Sequence, residues 1–314
     1  MRPFVLKGHK KSLTKVKYNR EGDLLFTASK DFSPTVWYTE NGERLGTFNG
    51  HQGVVWSVDP SPDTAYVASC SGDSTVRLWD TGSGKELCQH NTKVSARCVC
   101  FGSDSRLFVG TSDMKMGERP KLFVFSSNTA SAEKTIELED TATAATLGEN
   151  SESVIVGLAS GKIVRIDLRT GAKDLETAKH TQKINDIQLT PDRKAFVASS
   201  SDNTAGLFSS DTFQLWKRYN TDAPVNSAAV APGRDEVILG GGQEAMEVTT
   251  THTSHGNFNV QFYDLKTSRK KWEMGGHFGP VNTLQYHPAG LGYASGGEDG
   301  CVRVFFFDEN YFSA

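Results

Sequence analysis

Along most of its length the chain alternates short runs of β-branched and aromatic residues with polar interruptions. Three consecutive runs set the pattern: Val54-Val55-Trp56-Ser57-Val58, Ala65-Tyr66-Val67-Ala68-Ser69 and Thr75-Val76-Arg77-Leu78-Trp79. Their length, composition and flanking turn formers predict strands. No long stretch carries apolar residues at helical spacing, so the expected class is all-β. Interruptions recur at matching places as Ser61-Pro62-Asp63, Thr190-Pro191-Asp192, Ala231-Pro232-Gly233 and His287-Pro288-Ala289. Proline fixes φ and donates no amide hydrogen, which suits a turn between strands and not a strand centre.

The runs are organised by an internal repeat. Gly8-His9 and Gly50-His51 open two similar stretches, and an aspartate follows each histidine after 22 residues, Asp31 and then Asp73. Six residues further on stand Trp37 and Trp79. His180, Asp202 and Phe208 keep both intervals, as do His277, Asp299 and Phe305. Asn91 and Asp113 keep the first, with an insertion before Phe123 and Phe125. Leu138, Ser160 and Ile166 fill the slots of a degenerate repeat. Asp222 and Glu244 open another, with a long insertion (245–259) before Phe262-Tyr263-Asp264. Frames starting near 9, 51, 91, 138, 180, 222 and 277 make seven repeats averaging about 45 residues, the length of one four-stranded propeller blade. Such a blade has two faces to cover, so blades must stack, and closing the ring protects the ends. The last repeat has room for three strands before Tyr311-Phe312. Residues 2–7, extended and outside any repeat, are expected to supply its fourth, outer strand. Residues 1–314 are thus expected to form a single seven-bladed β-propeller.

With 34 basic and 37 acidic residues the formal charge is −3, which gives no overall electrostatic drive towards nucleic acid. Lys10-Lys11 and Arg269-Lys270-Lys271 are read as solvated loop charge, with direct contact to RNA phosphates not expected. No run approaches the roughly 18–20 apolar residues of a membrane helix, and the amino terminus lacks a signal region. A soluble chain that does not engage membranes is expected. Five cysteines, an odd number without a Cys-x-x-Cys pair, argue against a disulfide framework and for a reducing compartment.

Candidate chemistry is sparse. Gly240-Gly241-Gly242 lacks the Gly-Lys-Ser/Thr of a phosphate loop, and it reads as a glycine-rich strand end. His252 and His255 have no further ligand to complete a metal site. No catalytic, cofactor-binding or metal-ligating set is expected, and the chain is not read as an enzyme. The sixth repeat invites a binding reading instead. Asp222 takes the place of histidine and Glu244 that of aspartate, and two facing carboxylates repel. At least one is expected to turn outward, with Trp216 and Tyr219 nearby as apolar anchors. The rim between blades five and six is therefore the expected site for a partner helix carrying Lys or Arg.

The Gly-His, Asp and Trp frame resembles the WD40 repeat over essentially the whole chain. In that family the His, the turn Asp, a Ser or Thr and the Trp form a hydrogen-bonded structural network. The resemblance implies the sets His9, Asp31, Ser29, Trp37 and His51, Asp73, Ser69 or Ser71, Trp79, with His180–Asp202 and His277–Asp299 as further pairs. Asn19-Arg20-Glu21-Gly22-Asp23-Leu24-Leu25-Phe26-Thr27, Ile184-Asn185-Asp186-Ile187-Gln188-Leu189, Gly240-Gly241-Gly242-Gln243-Glu244-Ala245-Met246, Val248-Thr249-Thr250-Thr251 and Gly276-His277-Phe278-Gly279-Pro280 are similar to the subunit i family of eukaryotic translation initiation factor three. This implies a cytoplasmic scaffold that helps bring mRNA and initiator tRNA to the small ribosomal subunit. It also implies docking on the C-terminal region of subunit b and contact with subunit g. Fold alone leaves another role open, an adaptor for receptor kinase signalling or a ubiquitin ligase.

Overall fold

The computed structural model describes residues 3–103, 105, 107–115, 117–127, 132–148, 150–242, 258–308 and 311. Among these residues, 28 strands form seven antiparallel sheets of four strands each, packed as the blades of a propeller. Blades one to six run in chain order from innermost to outermost strand and cover residues 13–47, 55–91, 96–137, 142–177, 184–220 and 225–274. Blade seven combines Val281–Tyr286, Gly292–Gly297 and Val302–Phe306 with Phe4–Leu6 as its outermost strand. The closing strand is antiparallel, with Phe4 opposite Val304 and Leu6 opposite Val302. No helix among the described residues is long and apolar enough to cross a membrane.

The core lies between blades. Seven clusters of buried apolar residues occur, one at each junction. Phe26 and Phe48 of blade one, for example, meet Val58 and Trp79 of blade two. Inner strands are covered on both faces, so Thr75–Asp80 is buried at every position but the last, whereas the outermost Glu86–Asn91 is largely exposed. One position recurs on the third strand of every blade, always opposite the second residue of the second strand. It holds Trp37, Trp79, Phe125, Ile166, Phe208, Tyr263 and Phe305. Six are aromatic, and blade four alone has an aliphatic residue there.

The outermost strands of blades one to six each carry a β-bulge at their second residue: Leu45, Leu87, Glu133, Asp174, Trp216 and Lys271. A bulged residue leaves the ladder, so in each of these six blades one position of the outer strand is released from the regular pairing. The triglycine segment is a packing device. A Cβ on Gly240 would lie 2.6 Å from Leu284 Cδ2 of blade seven, and one on Gly241 would lie 2.0 Å from the Pro224 carbonyl oxygen.

The strand register corrects two repeat frames. In blades one, two, four, five and seven the frame residue stands four positions before the inner strand, as His51 does before Val55–Pro60. The inner strands of blades three and six start at Ala96 and Val225. The matching positions are therefore Thr92 and Thr221, one residue off the frames at Asn91 and Asp222. Both threonines close their own loops, Thr92 Oγ1 donating to the Val94 carbonyl at 2.6 Å and Thr221 Oγ1 to that of Ala223 at 2.7 Å. In blade three the aspartate position correspondingly falls on Met114, not on Asp113. Glu244, His252, His255 and most of the 245–259 insertion lie outside the described residues.

Ring closure rests on a three-residue strand in which Leu6 is buried. Leu6→Ala should cost about 3 kcal/mol in urea unfolding, the usual penalty for emptying a buried leucine site. A denaturation midpoint equal to that of the parent chain would mean that the amino-terminal strand does not hold the ring.

Candidate functional site

The histidine positions lie in loops entering the inner strands, and the aspartates lie in turns between second and third strands, which brings the two together. His9 Nδ1 meets Asp31 at 2.9 Å, His9 Nε2 meets Thr27 Oγ1 at 2.8 Å, and Trp37 Nε1 donates to the same hydroxyl at 2.9 Å. Blade two repeats the chain: His51 to Asp73 at 2.9 Å, His51 to Ser69 at 2.7 Å, and Trp79 to Ser69 at 2.8 Å. The hydroxyl in blade one is thus Thr27, not Ser29. Ser29 Oγ instead bonds the Lys11 carbonyl and the Asp31 amide, both at 3.1 Å. Ser71 makes the same kind of bond to the Asp73 amide. Each aspartate also accepts the amide of the residue after its histidine, from Lys10 at 2.9 Å and from Gln52 at 3.0 Å. Burial alone would raise Asp31, but the His9 hydrogen bond and the Lys10 amide outweigh it and bring the carboxyl down to about 2. Asp73 and Asp299 are held well below the carboxylate range against burial by their histidine bonds.

Blades five and seven carry partial versions. His277 reaches Asp299 at 3.2 Å and Ser295 at 2.8 Å, with Arg303 donating to Asp299 at 2.8 Å. His180 reaches Asp202 at 3.1 Å, yet its buried Nε2 has no partner. The residue 18 positions on, which is Thr27, Ser69 or Ser295 elsewhere, is Ala198 here, and it is fully buried.

At the rim of blades five and six, the three described residues of the four proposed for partner binding, Trp216, Tyr219 and Asp222, separate. Asp222 is exposed. Thr221 holds the histidine position, so Asp222 stands one residue outside the network frame. Trp216, on the bulge of Leu215–Asn220, is 49% exposed. Tyr219 is 0% exposed and cannot anchor a partner. It packs edge-on against Tyr263 at 5.8 Å and donates its hydroxyl proton to the Leu265 carbonyl at 3.2 Å.

The axial channel brings together groups that sequence reading did not connect. The second residue of an inner strand bonds the first carbonyl of the next blade: Thr14 to Val55, Thr143 to Ile184, Asn185 to Val225, Asn226 to Val281 and Asn282 to Leu13, at 2.5–3.1 Å. Trp56 and Arg97 interrupt this belt. The Arg97 guanidinium stacks 4.5 Å above the Trp56 ring and pairs with Asp113 at 2.8 Å. One residue deeper, Lys15 of blade one meets Asp186 of blade five across the channel at 2.5 Å. Asp186 also accepts from Ser227 at 2.5 Å and from Gln188 at 2.8 Å, and Gln188 donates on to the Leu284 carbonyl of blade seven. Burial opposes its charge, but Lys15 and these donors keep it below the ordinary carboxylate value. With its oxygens so engaged, Asp186 serves as a strut between blades. Aligning the third residue of each inner strand would have found it. That position reads Lys15, Ser57, Cys98, Ala144, Asp186, Ser227 and Thr283, one cation and one anion among neutral residues.

The profile of the family described as EIF3I matches residues 1–314. The chain belongs to the EIF3I family. Relatives named eukaryotic translation initiation factor 3 subunit I include one from Bombyx mori, 44% identical over 320 residues that cover 99% of this chain and 97% of that protein. The Nematostella vectensis protein of the same name is 43% identical over 314 residues, covering 99% and 98%. The Mus musculus protein is 43% identical over 319 residues, again covering 99% and 98%.

Asp31, Asp73 and Asp299 have folded values below those of an unfolded chain, so their stabilisation is complete above about pH 4 and drains as pH falls through the folded values. His180 and His277, lowered chiefly by burial, add loss in the same direction below about pH 6.5. Thermal stability should fall on acidification, most steeply below pH 4, and Asp31→Asn should lower it at pH 7 while flattening that acid limb. An unchanged acid limb would remove the network from the stability of the fold. Ala198→Ser should give His180 Nε2 its missing donor and add about 1 kcal/mol, raising the melting temperature by about 2 °C. A lower melting temperature with intact strand structure would show that the pocket does not accept the hydroxyl.

Proposed function

We propose that the chain is a non-catalytic scaffold subunit of eukaryotic translation initiation factor 3. It works in the cytoplasm through protein–protein contacts and thereby promotes recruitment of mRNA and initiator tRNA to the small ribosomal subunit. The reading is supported by the subunit name that the relatives carry over nearly their whole length. The single observation that bears its mechanism is the outer edge of blade five, where the bulged Trp216 and the exposed Asp222 stand at opposite ends. Asp222 lies in the bend just beyond the end of Leu215–Asn220, at most about 20 Å from Trp216, a span within reach of a helix of about 13 residues. Exposed Lys217 and Arg218 lie between them. A partner helix with an apolar anchor at one end, an acidic residue midway and a Lys or Arg at the other end would match this edge. We assign that helix to the C-terminal region of subunit b, with subunit g as a further contact.

Trp216→Ala and Asp222→Lys should each weaken binding of a recombinant subunit b C-terminal segment by about tenfold or more, as loss of an interface hot spot does. Both side chains are exposed, so melting temperatures should hold. Isothermal titration that finds parent affinity in both variants would move the site away from this edge. Purification from native cytosol that recovers a ligase adaptor or a receptor kinase in place of factor subunits would overturn the assignment to translation.

A further inference from the structure

The aliphatic residue that breaks the aromatic series has a visible consequence. At the junction of blades one and two, Phe48 and Trp79 lie 5.8 Å apart and fill the space near the rim. The matching residues at the junction of blades three and four are Leu138 and Ile166. The match is fixed by strand register for Ile166, and by the amide bonds of Phe48 to Pro34 and of Leu138 to Pro120. Two rings are therefore replaced by two branched chains, and a cavity of about 70 Å³ is left between the blades. Ile136, Leu138, Leu158, Val164 and Ile166 line it, all buried. A pocket of this size admits water, and an apolar side chain that displaces it would bury the lining. A dry cavity of about 150 Å³ takes benzene, so this one suits a branched aliphatic side chain.

The collar of the cavity carries two carboxylates and one ammonium, Glu137, Glu139 and Lys173. Glu137 and Glu139 stand at its edge with side chains 58% and 62% exposed. The segment 133–140 carries Glu133, Glu137, Glu139 and Asp140 against Lys134, whose Nζ is taken by the carbonyls of Leu168 and Arg169 at 3.0 and 2.6 Å. Glu137 pairs with Arg119 at 3.1 Å and Glu139 with Lys173 at 2.8 Å. Exposed pairs of this kind are weak and exchange readily for a cation from outside.

We propose that the cleft between blades three and four is a docking socket for a partner segment that inserts a leucine or isoleucine and places a Lys or Arg against Glu137 and Glu139. The socket lies on a different part of the rim from Trp216 and Asp222 and does not depend on the reading of that edge.

The test is methyl NMR of the full chain titrated with the peptide acetyl-Lys-Leu-Lys-amide, with acetyl-Lys-Ala-Lys-amide as comparison. The leucine peptide should shift the methyls of Leu138, Val164 and Ile166 saturably and bind about tenfold or more tighter than the alanine peptide, because only leucine buries an isobutyl group. Ile166→Phe, which restores the ring found in the other six blades, should abolish the shifts. Should that variant fail to fold, Leu138→Phe fills the same space from blade three. The double variant Glu137→Lys and Glu139→Lys, at exposed positions, should weaken binding about threefold or more while the melting temperature holds. Absence of shifts, equal shifts from both peptides, or shifts that survive filling of the cavity would each overturn the socket. Binding of subunit b should be unchanged in all of these variants, which keeps failure of the socket distinct from failure of the blade five edge.

Discussion

A sheet of four strands with apolar residues on both faces has no stable existence in water, and the whole molecule is arranged around that fact. Every blade needs a neighbour on each side, and only a closed ring provides one for all seven. The buried clusters accordingly lie between blades and not within them, and the recurring aromatic of the third strand sits where two blades meet. The amino-terminal strand matters for the same reason. Without it the last blade would lack its outer strand and leave the Val302–Phe306 edge unpaired.

Polar groups add geometry to this packing. In blades one and two the indole, hydroxyl, imidazole and carboxylate form an unbroken chain. A fully satisfied buried network of this kind specifies one arrangement. Blade five keeps the His180–Asp202 half and loses the rest, and blades three, four and six do without the histidine. Degeneration is tolerated because inter-blade packing is shared round the ring. The channel adds connections of another kind: the amide and hydroxyl belt links neighbours, while Lys15 and Asp186 tie blades that are not adjacent. Removing one member of such a buried pair typically costs 3–5 kcal/mol, because the other charge is left stranded.

The seven-fold repeat is legible in the sequence because its marks, histidine, aspartate and tryptophan, sit in turns and at a junction where few residue types fit. Closure by the amino terminus is legible too, because the last repeat is one strand short. Counting from loop residues fails in blades three and six, where register is set by the inner strands starting at Ala96 and Val225. The wrong count places Asp222 in a network to which it does not belong. Tyr219 looks like an anchor until its burial between blades five and six is seen. The Lys15–Asp186 pair joins residues 171 positions apart, and no local pattern announces it. The unpartnered His180 nitrogen is readable once Ala198 is aligned with Thr27 and Ser69.

Closure by the first strand also sets a clock. Phe4 pairs with Val304, so the closing strand must wait for a partner made about 300 residues after it. At about 5–20 residues per second the wait is roughly 15 seconds to a minute. Throughout it the segment is an unpaired edge, free to join another chain. The entropic cost of bringing such distant ends together grows only logarithmically with the length between them, so the burden is one of exposure time more than of free energy. Early blades can stack as they emerge, but the ring as a cooperative object begins only once Val302–Phe306 has been made.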